Sequence, residues 1–161
     1  MDQSQSSIFS AHPNATIVLL LFNAGPLNIT WAKYSDRVHV IMECFFPAQA
    51  AGDALYNVMY NNAGPASNPA ARLPVTWPAS LSHVPNITDY SMKERTYRYS
   101  TSKPLYPFGY GLSYTSFAYS DLSVLPAIVR YTDDIKIDVY LMNKGKVDGD
   151  EVRLVLKLSL R

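Results

Sequence analysis

Four carboxylates stand where acid–base chemistry is conceivable. Glu43 lies in the apolar run VHVIMECFF, Asp53 in the segment that follows, and Asp89 and Glu94 in a long stretch without period. Burial penalises a charged carboxylate and raises its pKa, so a buried Glu43 could hold a proton for donation. The simpler expectation for Glu43 is a carboxylate hydrogen-bonded at a strand end. Asp89 and Glu94 read as loop-fixing acceptors or partners of Lys93, Arg95 or Arg98. Asp148, Asp150 and Glu151 form a solvated acidic turn whose spacing matches no standard calcium loop. His12, His39 and His83 are scattered without metal-ligand spacing, and His39 alternates with Val38 and Val40 as a satisfied polar neighbour. Cys44 is the single cysteine. It can make neither an intramolecular disulfide nor a zinc site alone, and it reads as a buried small hydrophobe. No Gly-x-Ser-x-Gly elbow occurs, and Gly109-x-Gly111 lacks the following helix of a phosphate cradle. No metal and no cofactor is expected.

Aromatic chemistry is better represented. The stretch KPLYPFGYGLSYTSF (103–117) threads Tyr106, Phe108, Tyr110 and Tyr114 with proline and glycine. Such rings stack on sugars through C–H and apolar contact. Trp77, Tyr106, Phe108 and Tyr110 are therefore the candidate substrate-binding residues. The competing expectation is that these rings bury apolar area between two packed units, their hydroxyls reaching backbone groups. Gly109 and Gly111 would then allow the close backbone approach that such a joint needs. Trp31 and Trp77 follow the same logic, Trp77 with the better prospect of facing a cleft.

The elements that must position these groups begin with TIVLLLF (16–22). A run apolar on both faces fits a central strand of a parallel sheet. A short helical turn follows near Trp31, then a second buried strand over 38–46. Pro47 is expected to open a helix, with Ala51, Ala54, Leu55, Val58 and Met59 on its apolar face. Strand, helix, strand and helix in alternation predict an α/β layer. Residues 72–77 read as a short edge strand, because Pro74 cannot serve a central one. Residues 79–116 form a long ordered loop, of a length that is usually functional or interfacial. Beyond Ser120 the period becomes two: residues 135–141 and 152–160 predict a half-buried antiparallel pair around turn signals at 143–149. Two or three such strands cannot stand alone in water, so the chain is expected to be a fragment or truncated product ending inside a β-sandwich.

The chain has 161 residues, 48% of them hydrophobic, with a formal net charge of +1. One domain plus a fragment fits that length. No basic run recommends a nucleic acid or an anionic membrane. The hydrophobic run TIVLLLF is too short to span a bilayer and lacks the basic flank of a signal peptide. Three Asn-x-Thr sequons, at Asn14, Asn28 and Asn86, nonetheless tilt the reading toward a secretory origin. A targeting signal for the parent protein is then expected outside this chain.

Five motifs occur in order: FNAGPLNITWA (22–32), FPAQAAGDAL (46–55), ARLPVTWP (71–78), RTYRY (95–99) and YPFGYGLSYTSF (106–117). Together they resemble the C-terminal part of family 3 glycoside hydrolases, the β-xylosidase and β-glucosidase group. That resemblance implies a TIM-like barrel, then an α/β sandwich, then a fibronectin-III-like β-sandwich. Residues 1–115 would be the second half of the α/β sandwich, a partial sandwich with a parallel-sheet core. Residues 116–161 would be the first strands of an incomplete fibronectin-III-like module. The stretches around Ile87-Thr88-Asp89 and Arg95-Thr96-Tyr97 lean toward the xylosidase branch. Glycines that the family places at two turns are replaced here, at Pro47-Ala48-Gln49-Ala50-Ala51-Gly52 and Pro69-Ala70-Ala71-Arg72-Leu73-Pro74, which implies altered turn geometry or relaxed constraint.

The resemblance also implies a retaining mechanism with two carboxylates about 5 Å apart. The family draws its nucleophile from the barrel and its acid/base glutamate from sandwich sequence upstream, and neither motif matches a position here. The chain is thus expected to supply scaffold and cleft wall to an exo-acting glycosidase on β-linked oligosaccharides, partnered by the barrel domain and inactive alone. The parent would be extracellular or lysosomal. The alternatives are a non-catalytic carbohydrate-binding or interaction module and a truncated inactive isoform.

Overall fold

The computed structural model of the chain describes residues 10, 12–61, 64–126, 128, 130 and 132–153. They divide into two compact units that interleave in sequence. One is Met1–Ala51 with Leu73–Tyr110; the other is Gly52–Arg72 with Gly111–Arg161.

In the first unit the run at 16–22 becomes β1 (Ile17–Leu21), parallel to β2 (Val38–Glu43). Leu19 faces Ile41 and Leu21 faces Glu43 across the ladder, and the Cys44 N–H extends it to the Leu21 carbonyl at 2.9 Å. Helix α1 (Thr30–Lys33) lies between the strands in sequence, which makes the strand–helix–strand order expected of a mixed α/β layer. The core gathers Leu21, Ile29, Ala32, Trp77 and Leu105, with Leu19, Trp31, Val38, Ile41, Leu73 and Tyr106 packed against it. These strands are not buried on both faces. Only Leu21 of β1 is buried, and Phe22 and Val40 are exposed. A two-stranded sheet and one helical turn lack the surface to cover both faces of two apolar strands.

The expected edge strand at 72–77 is reduced to one antiparallel bridge, Trp77 to Tyr106. Around it the backbone still pairs: Leu105 N–H donates to the Trp77 carbonyl at 2.8 Å and Leu73 N–H to the Tyr110 carbonyl at 2.8 Å. Pro74, lacking an N–H, interrupts what would have been a continuous ladder. The stretch 79–102 folds as turns with a 3₁₀ segment (Leu81–His83) and a single helical turn (Thr96–Tyr99).

The second unit contains helix α2 from Gly52 onward. The helix runs Ala51–Tyr60, four residues later than Pro47 would open it. In the same unit β3 (Phe117–Leu125) pairs antiparallel with β4 (Lys136–Asn143). One edge of β4 therefore pairs with the upstream segment; the expected partner at 152–160 lies almost wholly outside the described residues. Glu151–Arg153 are not strand, and residues 154–161 lie outside the described residues. The register of β3 slips between Ser120 and Ser123, where Asp121 takes φ 55°. A bulge there breaks the period of two, which is why β3 is hard to see in the sequence. Every residue of β4 is exposed, so its two-residue period does not bury a face.

Gly111 answers one expectation directly. A Cβ there would stand 2.6 Å from the Ala71 carbonyl oxygen, so this close approach needs glycine. Gly109 instead serves its φ of +77°, with open space around it. Among the described residues no helix is long and apolar enough to cross a membrane.

Candidate functional site

The aromatic stretch forms a groove of about 350 Å³ in the first unit, lined by Lys33, Lys103, Pro104, Leu105, Tyr106 and Tyr110 with Pro107. The Trp77–Tyr106 bridge fixes the backbone on one side. The Tyr106 and Tyr110 rings lie 4.9 Å apart, tilted by 38°. Lys33, in the last turn of α1, places its Nζ 4.4 Å from the Tyr106 ring centre and donates to the Leu105 carbonyl. A cation over a ring face is a favourable contact. Burial, then the neighbouring Tyr110 and Tyr34, push the Tyr106 hydroxyl above its ordinary pKa of 10.0. It is thus a neutral donor and acceptor at physiological pH. The groove offers ring faces, a hydroxyl and an ammonium, a combination suited to a neutral polyhydroxylated ligand. Among the described residues no carboxylate lines it.

The four candidate substrate residues separate. Tyr106 and Tyr110 come together in the groove. Phe108 turns away to stack on Tyr97, 4.6 Å between ring centres and 27° between planes. Trp77 lies in the core at 1% exposure, its Nε1 donating to the Leu27 carbonyl at 2.8 Å, so no ring face is left for a ligand. Lys33 carries no sequence signal for this site. It lies 72 residues from the carbonyl it binds, and only folding brings the two together. Tyr114 belongs to the second unit, where its backbone N–H donates to Asn68 Oδ1 at 2.8 Å and its hydroxyl to the Val58 carbonyl.

A second hollow, about 250 Å³, is lined by Ser82, His83, Val84, Asp89, Lys93 and Glu94 with their neighbours. Both of its carboxylates are engaged. Asp89 Oδ1 accepts the Ser91 N–H at 2.8 Å, and Glu94 accepts both the N–H and the hydroxyl of Thr101 at 2.8 Å. These bonds hold both carboxyls below their ordinary pKa values, 3.8 and 4.5. A catalytic acid needs the opposite shift. Depressed folded pKa values mean that the stabilisation is present above the unfolded values and is lost as pH falls through the folded ones. Amide exchange at Ser91 and Thr101, corrected for its intrinsic pH dependence, is therefore expected to accelerate once pH drops below the ordinary carboxylate range. Unchanged protection there would show that these carboxylates do not hold the loop.

Glu43 ends β2, and its Oε1 accepts the Phe45 N–H at 2.8 Å, the strand-end bond expected of it. Cys44 is half-buried; burial first, and Glu43 next to it, push its thiol above its ordinary pKa. Such a thiol is a poor nucleophile at neutral pH. Among the described residues no cluster of three His, Cys, Asp or Glu could hold a metal. Asn14, Asn28 and Asn86 are all exposed.

Known proteins share these features. The glycosyl hydrolase family 3 C-terminal domain matches residues 3–114. The chain is 34% identical over 155 residues to thermostable β-glucosidase B of Acetivibrio thermocellus, covering 88% of this chain and 20% of that protein. It is 37% identical over 112 residues to β-D-xylosidase 1 of Arabidopsis thaliana, covering 65% and 14%. To the periplasmic β-glucosidase of Salmonella typhimurium it is 30% identical over 164 residues, covering 93% and 21%. The fold is similar to that of β-glucosidase 3B from Thermotoga neapolitana, with a TM-score of 0.69 at 24% identity over 90% of this chain and 22% of that one. A small mixed α/β framework is thus what this chain has in common with that structure. The chain belongs to the glycosyl hydrolase family 3 C-terminal domain family. It spans between 14% and 21% of the length of these relatives.

Proposed function

We propose that the chain is the scaffold and cleft-wall part of a glycoside hydrolase acting on β-linked O-glycosyl bonds, with β-xylosides as its substrate class. The observation that carries this reading is the groove built by the family's own motif. Tyr106 and Tyr110 face it, Lys33 edges it, and among the described residues no carboxylate lines it. The nucleophile and the acid/base group then come from other polypeptide of the parent enzyme. The exposed apolar side chains of β2 and β4, with Phe22 after β1, are the surfaces which that polypeptide covers. Residues 1–115 are assigned to the α/β sandwich, and β3 and β4 to the start of a fibronectin-III-like module. Three sequons favour an exported, glycosylated parent.

A second reading, a non-catalytic carbohydrate-binding module, draws on the same groove, because Tyr110 is partly exposed beside Tyr106. One set of measurements separates the two. The purified chain is expected to leave nitrophenyl β-xyloside and β-glucoside intact. Turnover that disappears in Glu43→Gln would sink the scaffold reading. Saturable glycan binding by the chain alone, lost in Tyr110→Ala, would favour the module.

A further inference from the structure

The three sequons are alike in sequence and unlike in structure, and we propose that Asn86 carries an N-linked glycan while Asn28 does not. At Asn86 the side-chain carbonyl oxygen accepts both the backbone N–H and the hydroxyl of Thr88, each at 3.0 Å. The sequon is thereby closed into an Asx turn with its threonine hydroxyl on its asparagine amide. No hydrogen bond engages Nδ2 among the described residues. The middle residue, Ile87, is 89% exposed. The turn is held from behind, since the Asn86 backbone carbonyl accepts Arg95 Nη2 at 3.1 Å and the Asp89 N–H at 2.9 Å. A bulky polar modification therefore meets open solvent on a loop that is already fixed.

Asn28 has the same triplet in a different place. Its middle residue, Ile29, is a core residue at 4% exposure. The Thr30 hydroxyl donates to the Ala79 carbonyl at 3.1 Å and not to the asparagine. Only the Thr30 N–H reaches Asn28 Oδ1, at 3.3 Å. The sequon is anchored in the core at both of its later positions, so an enzyme could engage it only before α1 docks. Asn86 stays competent before and after folding.

The step needs a lipid-linked pyrophosphoryl oligosaccharide as donor. Nδ2 of Asn86 attacks the anomeric carbon and forms the C–N bond. The bond from that carbon to the pyrophosphate oxygen breaks, the lipid pyrophosphate leaves with its electron pair, and one amide proton passes to a base of the transferring enzyme. No electrons are exchanged with a redox partner.

This inference rests on the reading of an exported parent, and the test supplies export independently. The full chain bearing Asn14→Gln is expressed behind a secretion leader in eukaryotic cells. It is then treated with an amidase that releases N-glycans and converts each modified asparagine to aspartate. Peptide mass mapping is expected to find conversion at Asn86, several-fold above that at Asn28. The size shift on treatment is expected to vanish in Asn86→Gln and Thr88→Val and to persist in Thr88→Ser. The Thr88 and Asn86 variants are read at Asn86 itself, and the ratio of Asn86 to Asn28 is read on secreted material of the otherwise unchanged chain, because an unfolded chain leaves Asn28 as open as Asn86. An unmodified Asn86, or equal occupancy at Asn28, overturns the inference. An unglycosylated native parent beside a modified leader-borne chain would instead sink the export reading alone.

Discussion

Replacing Trp77 by alanine is expected to cost about 3–5 kcal/mol of stability, the range for emptying a large aromatic from a core. Two effects add. The ring is 1% exposed and packs with Leu21, Ile29, Ala32 and Leu105, so its removal opens a cavity that a small unit cannot collapse around. The Leu27 carbonyl also loses the Nε1–H that satisfies it, and a lost hydrogen bond of this kind costs about 0.5–1.5 kcal/mol. Trp77→Phe separates them, since it keeps most of the volume and loses only the donor. It should recover more than half of the loss. Urea unfolding of the chain, followed by circular dichroism, reads both as shifts of the midpoint at unchanged slope. A Trp77→Ala midpoint near that of the parent would mean that the ring is not in the core. Such a result would return Trp77 to the list of residues able to face a sugar.

The second large effect belongs to Glu151. Its Oε2 meets Arg72 Nη2 at 2.7 Å, with the two side chains only 6% and 15% exposed. Its Oε1 takes Arg153 Nη2 at 2.6 Å and the Tyr119 hydroxyl at 3.0 Å. Arg153 also lies over the Tyr119 ring, 3.8 Å from its centre. Such a pair adds little against a hydrophobic replacement of both partners, but removing one partner strands the other charge. Glu151→Ala is therefore expected to destabilise by about 3 kcal/mol, and Arg72→Ala by less, because Arg153 and the Tyr119 hydroxyl still partner Glu151. The double variant should be far better than additive, because neither charge is then left unpaired. A double-mutant cycle on thermal midpoints checks it; simple additivity would show that the pair is not coupled. Arg72 and Glu151 are 79 residues apart. The acidic turn at 148–151, solvated in the sequence reading, thus has one member buried.

The family could be read from motifs, because those motifs are local. The run TIVLLLF specifies a strand whatever surrounds it, and the alternation from Ile135 to Leu141 does the same for β4. Pro74 marks an edge strand in the sequence, and the structure reduces that strand to a single bridge. Pairing was less legible. The period of β3 is broken at Asp121 by a bulge that one residue's φ decides. The pairing of β4 with the upstream strand is therefore not visible in the sequence. Burial was least legible of all. Trp77, Phe108 and Tyr110 are alike in composition, yet one is a core residue, one stacks on Tyr97, and one stays partly open.

Sequence alone determined which residues could make strands, where proline and glycine would stop them, and which enzyme family uses this order of motifs. The first two depend on backbone preference and side-chain spacing over a few residues, and the third on the resemblance of short motifs. Tertiary structure alone decided that Lys33 edges the groove, that Trp77 closes the core, that Glu151 is paired, and that Asn28 and Asn86 differ. Each of those rests on a contact or a burial made by a partner distant along the chain. Local propensity carries no information about which distant groups will share a site, because that is fixed only when apolar area is jointly withdrawn from water.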